Sequence, residues 1–114
     1  MKVLFVNPPR FLEKIPVTRE DRCEVTDRYS VVPPYSLACM ASILRERKYE
    51  VSILDANAMN FSYSELERSL RVISFDVLVF RFTPTTFDWD KRVADIVKAK
   101  DQKITTIGIC LTLH

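Results

Sequence analysis

The sequence predicts a doubly wound α/β domain on a parallel sheet, and three observations carry that expectation. Short apolar, β-branched runs alternate with longer stretches of helical apolar spacing in the order β-α-β-α-β-α-β, a pattern that favours parallel strands joined by right-handed crossovers. The first run, MKVLFVNPP, stops abruptly on Asn7, Pro8 and Pro9, and the second ends in Asp55-Ala56-Asn57. Polar groups thus fall at the carboxyl ends of strands, where open α/β sheets bind ligands. A sheet order of 2-1-3-4 then puts the topological switch between strands one and three, so that Asn7-Pro8-Pro9 and Thr83 to Thr86 flank one crevice.

Strand one is Lys2 to Val6, an apolar run of the kind buried on both faces. Pro8 to Pro33 has no periodicity and many charges, and is expected to be a long loop and the least ordered part of the chain. Helix one is expected from about Pro34, since proline suits a first turn, with Leu37, Met40, Ala41 and Leu44 on one face. Strand two is Val51 to Leu54. Ser64-Glu65-Leu66-Glu67 reads as the capping box of helix two, whose buried stripe is Leu66, Leu70 and Ile73. Strand three runs from about Val77 to Phe82. Helix three begins near Asp88 and buries Trp89, Val93, Ile96 and Val97, and strand four is Ile104 to Leu111.

With 114 residues and 47% hydrophobic content, the chain makes one domain with a real core. The net charge of +2 is a small difference between 17 basic and 15 acidic residues. Interspersed signs of this kind make a solvated surface, with no nucleic-acid footprint. Cys23, Cys39 and Cys110 are odd in number, far apart and without CxxC spacing, which argues against a disulfide framework or a cluster site. Cys39 is expected on the apolar face of helix one and Cys110 in strand four, both as small core residues. No signal-peptide pattern or membrane-length apolar run is present, so the expectation is a cytoplasmic chain without membrane contact.

Several ordinary chemistries are excluded. With Gly108 as its one glycine, the chain cannot form a GxGxxG turn or a Walker loop. Strand three ends in Phe82 and Thr83 without a phospho-acceptor carboxylate. The one histidine is His114, at the extreme terminus, which argues against a Ser–His–Asp or Cys–His site, and a single histidine cannot form a histidine metal cluster. Asp76 lies at the entering end of its strand and reads as a turn residue. Asp55 lies at the correct end, either to touch a ligand or to hydrogen-bond its own loop. Thr83, Thr85 and Thr86 could bind a phosphate or amide, or cap helix three.

MKVLFVNPP, VPPYSLACMASILRERKYEVSILDANA, FDVLVFRFTP and the Gly108 strand resemble, in order, the N-terminal cobalamin-binding domain of cobalamin-dependent radical S-adenosylmethionine enzymes. The resemblance covers nearly the whole chain except Arg10 to Val31. It implies a Rossmann-like (flavodoxin-like) fold truncated after strand four, as a fragment of a larger enzyme. Its implied cofactor is cobalamin without a protein histidine ligand, since the chain has no Asp-x-His-x-x-Gly segment. Iron–sulfur cluster and S-adenosylmethionine would belong to a missing downstream domain, because CxxxCxxC is absent and the chain alone should be inactive. Carried over by position, the corrinoid site would draw on Asn7, Pro8, Pro9, Asp55, Thr83, Thr85, Thr86 and Gly108. The sequence departs from the family at Ser36 and Lys48, where glycine is usual, and at Val79 and Arg81, where small residues are usual. Those departures keep a second reading open, a ligand-free regulatory or protein-interaction module that retains the fold. Strand four, apolar and free of proline and charge, is expected to be an open edge that drives homo-oligomerisation.

Overall fold

The computed structural model describes residues 1–17, 19 and 34–110. It is an α/β domain of Rossmann-like architecture. The elements are β1 (Lys2–Asn7), α1 (Tyr35–Glu46), β2 (Glu50–Asp55), α2 (Tyr63–Val72), β3 (Val77–Arg81), α3 (Phe87–Asp90), α4 (Arg92–Lys100) and β4 (Thr105–Ile109). The four strands are all parallel in the order β2-β1-β3-β4, the expected topology. Register sets Asn7 beside Asp55 across β1 and β2, and Val6 beside Phe80 across β1 and β3, so the polar strand ends line up.

Side-chain alternation divides the interior into two layers. On one face Leu4, Val6, Leu78 and Phe80 pack with Tyr63, Leu66 and Leu70 of α2 and Val93 and Val97 of α4. On the other, Val3, Phe5 and Val79 pack with Leu37 and Ala41 of α1. Full burial of each such side chain contributes about 1.5–3 kcal/mol. In the second layer α1 lies over β2 and β1 and meets Val79 of β3, and among the described residues no helix covers β4 on this face. An apolar groove of about 240 Å³ remains there, lined by Met40, Leu44, Val79, Ile107 and Ile109. Among the described residues no helix is long and apolar enough to cross a membrane.

Several element boundaries differ from expectation for local reasons. The capping box of α2 is Ser62 with Glu65, not Ser64 with Glu67. The Ser62 hydroxyl accepts the Glu65 N–H at 3.1 Å and the Glu65 carboxylate accepts the Ser62 N–H at 3.2 Å. Starting two residues earlier buries Tyr63 with Leu66 and Leu70 and leaves Ile73 half-buried at the cap. The third helix is two, α3 and α4, meeting at Lys91; Val93 and Val97 are buried, Trp89 and Ile96 half-buried. Cys39 is exposed, contrary to expectation, since Leu37 and Ala41 carry the buried face of α1. Cys110 follows β4 and is half-buried. Of the long loop, residues 8–17 and 19 are described and 18 and 20–33 are not; Cys23 and the strand-four end at Leu111 also fall outside the described residues.

Lys48 has φ 73°, a left-handed conformation that favours glycine. Its N–H donates to the Arg45 carbonyl at 3.0 Å and the Tyr49 N–H donates to the Leu44 carbonyl at 3.1 Å. These two bonds make a Schellman closure of α1, a place where a side chain carries a steric cost. Replacing Lys48→Gly should therefore raise the unfolding free energy by about 0.5–1 kcal/mol in urea titration.

Candidate functional site

The carboxyl ends of the strands are built around the guanidinium of Arg19. Its Nε donates to Asp90 Oδ2 at 3.0 Å, Nη2 to Asp90 Oδ1 at 2.8 Å and to the Pro9 carbonyl at 2.9 Å, and Nη1 to Asn7 Oδ1 and the Pro8 carbonyl, each at 2.9 Å. All five N–H donors of the fork are thus satisfied, and the side chains of Arg19 and Asp90 are sealed from solvent. Pro8 and Pro9 supply carbonyls that no helix or strand claims, because the prolines end the ladder of β1.

The same cluster extends to the end of β2 and to the loop between β3 and α3. Asn7 Nδ2 donates to Asp55 Oδ1 at 2.9 Å, and Asp55 Oδ1 also accepts the Ala58 N–H at 2.9 Å in an Asx-type turn. On the far side Thr86 Oγ1 donates to Asp90 Oδ2 at 2.6 Å, the hydroxyls of Thr83 and Thr86 lie 2.7 Å apart, and Thr83 Oγ1 accepts the Thr86 N–H at 2.9 Å. Burial pushes the Asp90 carboxyl up, opposed by the Arg19 charge, its hydrogen bonds and the Thr86 hydroxyl.

The segment that delivers Arg19 is pinned over the strand ends. Asn57, fully buried, accepts the Val17 N–H on its side-chain oxygen and the Arg10 Nε–H on its backbone carbonyl, each at 2.9 Å. A turn through Leu12 and Glu13, both at positive φ, is held where the Glu13 carboxylate accepts the Tyr63 N–H at 3.1 Å. Trp89 anchors the other side. Its ring meets Phe11 and Tyr63 edge-on at 6.2 and 5.0 Å, and its Nε1–H donates to the Pro9 carbonyl at 3.3 Å. The Tyr63 hydroxyl donates to the Trp89 carbonyl, and Arg92 stacks over both rings at 4.4 and 4.9 Å. Burial pushes the Tyr63 hydroxyl well up from its ordinary value, helped by the Asp90 charge.

Of the eight residues singled out from sequence, Asn7, Pro8, Pro9, Asp55, Thr83 and Thr86 gather at one end in this single network. Thr86 stands at the N-cap of α3 but makes no side-chain cap bond, since its hydroxyl goes to Asp90. Thr85 is exposed and outside the network. Gly108 lies within β4, where a Cβ would meet the rings of Phe80 and Phe82 at 3.0 and 3.1 Å, so its missing side chain serves ring packing. Asp76 is a turn-end group, as read: its carboxylate accepts the Lys2 N–H at 2.8 Å.

Arg19, Asp90, Asn57 and Tyr63 were missed. One signal was available for Asp90: it sits three and seven residues before the buried Val93 and Val97, a carboxylate on an apolar stripe. Arg81 is buried like Arg19 but differs from it in its hydrogen bonding. It is 0% exposed at the end of β3, and among the described residues none of its three guanidinium nitrogens has a hydrogen-bond partner. Among the described residues no group of three or more His, Cys, Asp or Glu could hold a metal. Comparison with protein-family models, curated proteins and solved structures finds no match to the chain.

Breaking the buried pair from one side should be costly, because the other charge is left without a counter-ion. Asp90→Ala is expected to lower the unfolding free energy by about 3–5 kcal/mol, whereas Arg19→Met with Asp90→Leu should cost far less than the two single changes added together. Chemical denaturation of the four proteins measures the coupling.

Proposed function

We propose that this chain is a non-catalytic, cobalamin-binding-type α/β module of the kind that serves radical S-adenosylmethionine enzymes. The observation that supports the reading most is the sheet order β2-β1-β3-β4. It sets the Asn7-Pro8-Pro9 and Thr83-to-Thr86 loops on either side of the switch point, with Asp55 beside them, as the ordered motifs require.

The fit is partial. The interior of the crevice is filled by Arg19, and the hydroxyls of Thr83 and Thr86 are engaged with each other and with Asp90. A corrinoid would meet the outer surface of the strand ends, where Thr85 and Phe87 are exposed and Asp55 is half-buried. Corrin chemistry at cobalt comes from the cofactor; the chain would bind and orient it. The lack of a CxxxCxxC motif leaves no cluster to cleave S-adenosylmethionine within this sequence.

The filled crevice and the buried Arg81 favour a second reading, a ligand-free interaction module that keeps the fold. Titration with hydroxocobalamin, followed in the visible spectrum and by retention on gel filtration, decides between the two. A changed spectrum with stoichiometric retention supports the first; an unchanged spectrum and free cofactor at saturating protein leave the second.

We also propose self-association along β4. Its outer backbone edge has no neighbour among the described strands, and Ile107 stands exposed on the apolar groove beside it. Sedimentation equilibrium should show a dimer or higher oligomer for the wild type and a shift to monomer for Ile107→Lys. A monomeric wild type at high concentration would refute this.

A further inference from the structure

We propose that a second copy of this chain docks on the α1 side of the sheet, with the α1 helix of each copy filling the apolar groove of the other. The inference rests on the self-association read above and deepens it, by naming a face-to-face contact to which pairing of β4 edges is the alternative.

The sheet is covered unequally. Parallel sheets in stable folds are buried on both faces. Four strands about 4.8 Å apart take two helices, each about 10 Å across, to cover one face. The face under α2 and α4 has its two. On the other, among the described residues, α1 lies alone over β2 and β1. The strip above β3 and β4 is therefore one helix wide, and the groove of about 240 Å³ is its open part. Every side chain that lines the groove is apolar. Two of them, Ile43 and Ile107, are 56% and 43% exposed.

The occupant is indicated by α1 itself. Tyr35 to Leu44 contains no charged residue, although Tyr35, Ala38, Cys39, Ser42 and Ile43 are all exposed. The helices of the opposite face differ: α2 carries Glu65, Glu67, Arg68 and Arg71, and α4 carries Arg92, Asp95, Lys98 and Lys100. A helix without charge around its girth is one that is buried all round. One side of the molecule thus presents an uncharged ridge and, next to it, a groove as wide as that ridge. Such a surface complements itself under a two-fold rotation, the commonest closed assembly. With the axis between the helices and along their length, α1 and its symmetry mate lie side by side between two sheets. Each helix then covers β2 and β1 of its own copy and β3 and β4 of the other. No like charges oppose the contact until Arg45 and Glu46, in the last turn. One side of a body exposing 6852 Å² is on the order of 1,000 Å², enough for the roughly 800 Å² per partner of a stable dimer.

The two contacts separate experimentally at Ile43. Face-to-face docking brings this residue, on the groove side of α1, to its own counterpart across the axis. Edge pairing of β4 would hold the two α1 helices about 24 Å apart, with β3 and β4 of both copies between them. Sedimentation equilibrium on the whole chain should show a wild-type dimer. Ile43→Lys should raise its dissociation constant roughly tenfold or more, because two ammonium groups would enter an apolar seam. Position 43 is exposed within one copy, so the variant should fold, which circular dichroism checks. A chain carrying Cys23→Ser, Cys39→Ser, Cys110→Ser and Ile43→Cys should form a disulfide between copies on mild oxidation, seen in non-reducing electrophoresis. Arg68→Cys in the same background, on the opposite face, should not. A dimer that Ile43→Lys leaves intact and that forms no cross-link at position 43 would overturn this contact and leave edge pairing. A wild-type chain that stays monomeric would overturn both.

Discussion

The Arg19–Asp90 pair is the interaction on which the carboxyl-terminal end of the sheet depends. A guanidinium and a carboxylate withdrawn from water must satisfy each other and every remaining donor, or the fold loses more than the pair contributes. Here Arg19 meets the requirement by drawing in two proline carbonyls and Asn7 as well as Asp90. Those partners come from β1 and α3, while Arg19 itself comes from the long connection between β1 and α1. One side chain therefore fixes the end of a central strand, the start of the third crossover and the path of the connection. Asn57 and Trp89 hold the same path from its flanks.

How much of this was legible depended on whether the cause was local. The sheet order and every strand were readable because apolar β-branched runs and helical stripes are periodic signals that survive in sequence. Capping at Ser62 was misplaced by two residues because Ser62 and Ser64 each precede a glutamate at the correct spacing. What decides between them is the burial of Tyr63 against Trp89, a tertiary fact.

The polar cluster shows the opposite case. Asn7, Asp55, Thr83 and Thr86 were recognisable as strand-end groups, but their partners were not. Arg19 stands in a stretch with no pattern, 71 residues from Asp90. Nothing in a linear chain distinguishes it from the other surface arginines. The same residue types that suit a ligand also suit an internal ion network, and only geometry separates the two uses. Arg81 was legible as bulk in a place where the resemblance expects small residues; that its side chain is sealed, with no hydrogen bond among the described residues, emerges only with the fold.

Trp89 has an optical consequence. It is the one tryptophan of the chain, and it touches the incoming segment through Phe11 and the Pro9 carbonyl while stacked with Tyr63 and Arg92. Its indole thus spans the seam between the connection that carries Arg19 and the body of the domain. The emission of this single fluorophore is set by whether that seam is shut: a half-buried indole beside a cation when shut, a hydrated one when parted. The molecule carries a native reporter at the place where its ionic lock can come undone, with no label required.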